Sequence, residues 1–265
     1  MSLRLKVVIK GAGELGSAVG WTLRRCGFHV LFTEIPQPLA VRRKVCFSEA
    51  VFEGEQVVEG IKGVLIKDLQ EVEEIWKRNE VAIIVDPEGS SVSLIKPDVL
   101  VDAIMAKRNT GTSIDQAPFT IGLGPGFFAG KDVHVVIETQ RGHNLGRVIY
   151  EGEAETNTGI PGEIGGFTWQ RVLRAPKEGL FKPFKEIGDF VKKGETVALV
   201  DSEPVTAGID GVIRGLLRGG MKVPKGEKVG DIDPRGIRDY CFTISDKART
   251  VAGGVLRAIL EHFNR

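Results

Sequence analysis

The sequence predicts an α/β protein with an N-terminal parallel sheet, then a β-rich part, then a C-terminal helix. Three observations carry this. An apolar run, Lys6 to Lys10, leads into Gly11-Ala12-Gly13-Glu14-Leu15-Gly16 and a helical segment that reaches Cys26 and is closed by Gly27. Two further apolar runs, Val81–Val85 and Val99–Val101, each stop at an aspartate, Asp86 and Asp102. Beyond about residue 113 glycines and strand-like runs dominate, and the stretch at 188–198 recurs without gaps at 220–230.

The first element is the strand–turn–helix. Gly-x-Gly-x-x-Gly in this context opens a Rossmann-like domain: Gly11 for the tight turn, Gly13 for approach of backbone N–H groups to a pyrophosphate, and Gly16 for close packing of helix on strand. With 34 glycines in 265 residues the motif alone is weak, and the flanking strand and helix give it weight. The next strand, Phe28 to Thr33, ends in Glu34, 18 residues after Gly16, where a ribose-binding carboxylate is expected. The candidate contacts of this turn are therefore Gly11, Ala12, Gly13, Glu14, Leu15, Gly16 and Glu34.

Ile35-Pro36-Gln37-Pro38 is extended, and the basic run Arg42-Arg43-Lys44 follows it. Arg42 and Arg43 read equally well as partners of a ligand phosphate and as a solvated turn. Residues 48–85 read as strand, helix, strand, with Leu69, Val72, Ile75 and Trp76 on one helical face. Ligands of open α/β sheets lie beyond the carboxyl ends of the strands, which makes Asp86, Asp102 and the following Lys107 candidates. A single aspartate at a strand end also serves as a helix cap. Farther on, Arg141, His143 and Arg147 crowd a glycine-rich corner after a strand ending in Glu138. Glu138 and His143 are an acid–base pair if they meet, and a charged turn otherwise.

The repeat sets Gly188-Asp189-Phe190-Val191-Lys192-Lys193-Gly194-Glu195 on Gly220-Met221-Lys222-Val223-Pro224-Lys225-Gly226-Glu227. Such paired hairpin units resemble the barrel-sandwich hybrid of biotinyl and lipoyl domains. Those domains modify a lysine at the hairpin tip between the copies; here that tip, Ser202 to Gly208, has none, so neither biotin nor lipoate attachment is expected. Gly230 to Arg235 closes the module with two acids and an arginine, facing a ligand or capping a turn. Asp246 to Phe263 reads as an amphipathic helix with Ser245 as N-cap and Val251, Val255, Leu256, Ile259 and Leu260 as its apolar face. The expected divisions are 1–112, a nucleotide-binding domain; 113–177, a β-rich connection; 178–240, the barrel-sandwich module; and 241–265, the helix.

Composition limits the function classes. The formal net charge is +1 with basic residues dispersed, which argues against nucleic acid as a partner. No apolar run approaches the ~20 residues of a membrane span, and the first residues lack a signal-peptide pattern. The three cysteines, Cys26, Cys46 and Cys241, have no metal-ligand spacing and form no disulfide framework. A cytoplasmic protein without a metal site is expected.

Several stretches together resemble the YqeB-type accessory proteins of selenium-dependent molybdenum hydroxylases. These are Lys10 to Gly16, Pro38 to Phe47, Val101-Asp102-Ala103 with Ala106 to Asn109, Ile121 to Phe127, Ile137 to Gly146 and Thr158 to Pro176. The family is distantly similar to the XdhC-type maturation factors of the molybdenum cofactor. The resemblance implies cofactor maturation rather than hydroxylation, with a nucleotide or the dinucleotide form of the molybdenum cofactor as ligand and a molybdenum hydroxylase apo-enzyme as partner. It supplies no catalytic residue and leaves open whether a reaction is catalysed. Two alternatives stand beside it: an NAD(P)-dependent oxidoreductase with Glu34 on the ribose, and a non-catalytic interaction module. A homo-oligomer is compatible with all three.

Overall fold

A computed structural model describes residues 4–264. The chain divides into two units: the described residues of Met1–Pro38, Cys46–Asn157 and Ile244–Arg265, and a second made of Leu39–Val45 and Thr158–Thr243.

The first unit runs β1 (Lys6–Lys10), α1 (Glu14–Arg25), β2 (His29–Glu34), α2 (Ala50–Glu53), β3 (Glu55–Val58), β4 (Ile61–Ile66), α3 (Val72–Lys77), β5 (Val81–Val85), α4 (Ser91–Ile95) and β6 (Val99–Asp102). It continues through β7 (Phe119–Leu123), β8 (Phe128–Ala129), β9 (Val135–Ile137), β10 (Val148–Ile149) and β11 (Gly152–Glu153), and closes with α5 (Asp246–Phe263). Among the described residues nine strands form one sheet in the order β10-β9-β7-β6-β1-β2-β5-β4-β3. From β9 to β4 every neighbouring pair is parallel; β10 and β3 join antiparallel at the two edges. The short β8 and β11 pair with each other.

Strands covered on both faces need apolar residues at successive positions, and Val7, Val8 and Ile9 are fully buried. Alternation sends them to opposite sides. Val8, Leu31, Ala82 and Leu100 meet Val72, Ile75 and Trp76 of α3 and Val92 of α4. Ile9 is in register with Phe32 on the other face, where α1 lies so close that a Cβ on Gly20 would come within 2.3 Å of the Phe32 ring. Helix α5 packs against α1 with Val251, Val255 and Ile259 fully buried. Ser245 caps it as the sequence predicts, its Oγ accepting from Ala248 N at 3.2 Å.

Two expectations are corrected here. Residues 113–157 are no connecting region, because β7 and β9 extend the same parallel sheet past residue 112. The 48–85 stretch contains the β3–β4 hairpin, and its helix begins as a 3-10 turn, Leu69–Glu71, under an Asp68–Glu71 capping box.

The second unit holds β12 (Val172–Arg174), β13 (Gly179–Pro183), β14 (Phe190–Val191), β15 (Thr196–Val200), β16 (Glu203–Thr206), β17 (Gly211–Leu216), β18 (Lys222–Val223) and β19 (Lys228–Asp233). They form two four-stranded antiparallel sheets, β12-β19-β17-β14 and β16-β15-β13-β18. Each copy of the repeat gives one strand to each sheet: β14 and β15 from the first, β19 and β18 from the second. The shared glycines have a common cause, since Gly194 and Gly226 both turn at positive φ, +85° and +82°. The tip between the copies is shorter than expected, Asp201-Ser202 alone, because Glu203–Thr206 is strand.

Candidate functional site

The central strands β1 and β6 lie side by side, and the chain leaves them toward opposite sides of the sheet. This places the first glycine turn and the segment after β6 together at the carboxyl edge. A Cβ on Gly11, whose φ is +88°, would meet Ala103 O at 3.0 Å, so the turn and the end of β6 touch through backbone. Gly16 is tighter still: its Cβ would lie 2.1 Å from Gly11 O. Gly13 is different. It caps α1 at φ −69° with no side-chain hydrogen bond, and a Cβ there would find nothing within 4 Å. Gly13 thus leaves open space on its Cβ side where α1 begins, at the positive end of the helix.

The turn is braced from beneath. Ser17 Oγ donates to Ala12 O at 2.8 Å and accepts from Phe47 N at 2.8 Å, and Ser48 N donates to Ala12 O at 3.0 Å. Glu34 stands beside it: one carboxylate oxygen accepts from Ala12 N at 2.8 Å, the other from Ile35 N at 2.9 Å. Burial pushes the Glu34 carboxyl upward against the pull of these two N–H donors. Glu14 accepts from Ser245 Oγ at 2.8 Å, which joins the first turns of α1 and α5.

Asp102 behaves differently from Asp86. Asp86 accepts from the amides and hydroxyls of Ser90 and Ser91, between 2.5 and 3.1 Å, and so caps α4. Burial opposes its ionisation, but the serine donors outweigh it and hold the carboxyl below its ordinary value. Asp102 is buried, accepting from Thr112 Oγ1 at 2.6 Å and from Ile104 N at 3.1 Å, and burial raises it. The same Thr112 Oγ1 accepts from Lys10 Nζ at 2.9 Å, and Gln116 Oε1 takes a second Nζ proton at 3.2 Å. Lys10 is the register partner of Asp102 and only 9% exposed; burial lowers it, with Asp102 and Asp86 pulling the other way. Sequence reasoning missed Lys10, Thr112 and Gln116. A lysine closing an apolar strand just before the glycine turn was the available signal.

The other expected residues separate. Arg42 and Arg43 belong to the second unit and work there. Arg42 Nη2 donates to the carbonyls of Tyr240 and Thr243, both at 3.1 Å, and Arg43 Nε to Leu216 O at 2.9 Å. Arg141 forms a bidentate pair with Asp246 at 2.8 and 3.0 Å. Glu138 accepts from the backbone of Gln140 at 2.6 Å and of Glu155 at 2.7 Å, while His143 is exposed; of the two readings open for this corner, the charged turn is the one these bonds support. Glu138 instead lines a pocket of ≈ 350 Å³ with Glu151, Glu153 and Glu155. Lys107 is exposed in a left-handed conformation, φ +62°. Asp231 and Asp233 are both engaged in ion pairs within the second unit. Asp233 pairs with Arg235 at 2.6 Å, and Asp231 lies buried 3.2 Å from Arg171. Among the described residues no group of three or more His, Cys, Asp or Glu is arranged to hold a metal ion, and no helix is long and apolar enough to cross a membrane.

No family model matches the chain. Two solved structures are similar over most of its length: an aspartoacylase family protein from Mesorhizobium loti, 14% identical, covering 86% of this chain and 84% of that one at a TM-score of 0.28; and a succinylglutamate desuccinylase from Silicibacter sp. TM1040, 13% identical, covering 88% and 85% at 0.26. At the sequence level it matches the Escherichia coli K12 protein "Uncharacterized protein YqeB" at 47% identity over 254 residues, 96% of this chain. It spans about half the length of that relative, 47%. Over the length it has, the chain is a homologue of Escherichia coli YqeB.

Proposed function

We propose that the edge formed by the glycine turn and the end of β6 binds a nucleotide or dinucleotide through its phosphates, and that the protein serves maturation of a molybdenum hydroxylase by holding the dinucleotide form of its cofactor. The observation that carries the binding reading is Gly13, open on its Cβ side where α1 begins. Strand order supports it. The seven parallel strands β4-β5-β2-β1-β6-β7-β9, numbered among themselves by sequence, run 3-4-2-1-5-6-7; with the outermost, β4, set aside, the other six follow 3-2-1-4-5-6, the order of doubly wound dinucleotide-binding sheets. The turn suits a pyrophosphate in that Gly13 leaves room beside the start of α1 and Lys10 is the nearest cation along the chain. Glu34 suits a ribose hydroxyl, since each oxygen has given one lone pair to an N–H and keeps another. Arg42 and Arg43 are left out of this site because their donors serve the second unit.

The cofactor-maturation role rests on the family resemblance. A pyrophosphate presents the same group to the turn whether it comes from NAD or from a molybdopterin dinucleotide. The second unit, with its two sheets and interlocked repeat, supports the barrel-sandwich reading, and without a lysine in its turn it serves as a docking or capping module.

Thermal shift with NAD, NADP, CTP and a molybdopterin dinucleotide tests the proposal. A ligand at roughly 100 times its Kd stabilises the protein by about 2.7 kcal/mol. A shift with the molybdopterin dinucleotide and no turnover of NAD is the expected result. NAD binding with turnover of a two-electron substrate overturns maturation in favour of an oxidoreductase. No shift with any of the four leaves an interaction module.

A further inference from the structure

The amino edge of the parallel sheet, opposite the glycine turn, holds a cavity of ≈ 540 Å³. It lies where β2 begins at His29, beside the ends of α1 and α3, and all its lining residues belong to the first unit. Its volume falls in the range of about 300–1,000 Å³ usual for small-molecule sites. Three cations line it, each from a different element: Arg4 ahead of β1, Arg24 in the last turn of α1, and Lys77 closing α3. Among the described residues Arg4 and Lys77 have no hydrogen-bond or ion-pair partner. Arg24 is half-buried, and its terminal nitrogens donate to Phe28 O and to Asn79 Oδ1, the second at 2.6 Å. Both acceptors are neutral, so no carboxylate offsets its charge. The acid in the lining, Glu73, is already paired, its Oε1 3.3 Å from Lys6 Nζ. Helix ends account for part of this charge, since α1 and α3 both finish here and a helix C-terminus carries about half a negative charge. Two such ends amount to about one charge, less than the three cations bring. One wall of the cavity is aromatic. His29 stacks on Trp76 with centroids 4.9 Å apart and planes at 20°, and the indole N–H is spent on Val30 O at 2.8 Å.

We propose that this cavity binds a small organic anion bearing two or three carboxylates, with the carboxylates on Arg4, Arg24 and Lys77 and the carbon skeleton against the His29–Trp76 stack. The placement of the cations selects the ligand. They enter from three elements, so positive charge is distributed round the cavity. Carboxylates joined by a short chain match that distribution, and a single anionic group does not. The aromatic wall asks for carbon between the charges, which inorganic anions lack. A guanidinium takes a carboxylate through paired N–H donors, and Arg24 keeps Nε and one N–H on each terminal nitrogen for it. The site goes beyond the reading of the glycine turn, which lies at the carboxyl edge, and stands whether or not that turn binds phosphate.

Calorimetric titration of the full chain with citrate, succinate, acetate and inorganic phosphate, at one low ionic strength, tests this. Citrate should bind most tightly and succinate next, with acetate and phosphate about tenfold or more weaker than citrate, since each meets fewer of the charge-assisted donors. Lys77→Gln should weaken citrate about tenfold, and Lys77→Gln with Arg4→Gln about a hundredfold. Both side chains are exposed, so circular dichroism should not change. Gly13→Asp, at the opposite edge, should leave citrate binding as it is. Phosphate binding as tight as that of citrate overturns the carboxylate assignment. Citrate affinity unchanged in the double variant, or no heat with citrate at millimolar concentration in the folded chain, overturns the site. Loss of citrate binding in folded Gly13→Asp, with affinity kept in Lys77→Gln, moves the anion to the glycine turn and overturns this cavity while leaving that turn standing.

Discussion

Gly13 and Gly16 are three positions apart and do opposite work, which gives the clearest test at the scale of one residue. Gly16 leaves no room: an added Cβ would stand 2.1 Å from the Gly11 carbonyl. Gly16→Ala is expected to cost about 3 kcal/mol, the upper range for overpacking against backbone, read from urea denaturation. Gly13 is open at an ordinary φ of −69° and occupies an N-cap, where aspartate is favoured. Gly13→Asp should therefore keep or raise the melting temperature while abolishing the thermal shift from phosphate ligands, because its carboxylate takes their place. Equal destabilisation by both substitutions would reduce the turn to a packing device. Glu34 gives a pH prediction. Its folded pKa is raised above 4.5, so between 4.5 and that raised value the native state holds a proton that the unfolded state has lost. Stability contributed by this group is present below 4.5 and declines as pH rises through the window. Glu34→Gln, which keeps an acceptor for Ala12 N, should flatten that part of the curve of melting temperature against pH.

At the scale of elements, what the sequence reveals follows from how local the cause is. The strand–turn–helix, the runs ending at Asp86 and Asp102, the Ser245 cap and the repeat are written in neighbouring residues, and the structure contains each. Ser245→Ala should cost about 1 kcal/mol, the usual worth of an N-cap, measurable by urea denaturation. The misjudged elements depend on distant partners. β7 and β9 look like the strands of any β-rich segment, and only the pairing of β7 with β6 and of β9 with β7 makes them part of the parallel sheet. Arg42 follows a nucleotide-type strand, yet its guanidinium is spent on Tyr240 and Thr243, about two hundred residues away along the chain. Lys10 was passed over because Thr112 and Asp102 reach it only through the fold. The buried ions of the second unit are equally non-local. Arg171 pairs with Asp231 and Arg214 with Asp233, while Lys228, Arg42, Arg214 and Arg171 hold the Asp231 carboxyl low against its burial. Asp231→Asn leaves these arginines short of a counter-charge and should cost about 3–5 kcal/mol, seen as a lower denaturation midpoint and earlier proteolysis within 158–243.

At the scale of the whole molecule, each unit is assembled from separate stretches of chain. The first unit is interrupted twice, at Leu39–Val45 and at Thr158–Thr243, and is completed only when α5 returns to it. That helix is an integral layer: Gly254 lies so close to the β9–β10 connection that a Cβ would fall 2.4 Å from Gly146 O. Val251, Val255 and Ile259 are fully buried on it. At about 1.5–3 kcal/mol for each such side chain, these three alone amount to a large share of the 5–15 kcal/mol that holds a typical protein folded. Ending the chain before Asp246 also removes the partner of Arg141 and uncovers α1. Such a chain is expected to lose the cooperative unfolding of the first unit and every ligand-induced thermal shift, although β1, the glycine turn and α1 remain in its sequence. If it instead kept a sharp transition and bound NAD or pyrophosphate as the full chain does, α5 would be an appendage rather than a layer. The phosphate edge would then be the work of the parallel sheet and α1 alone.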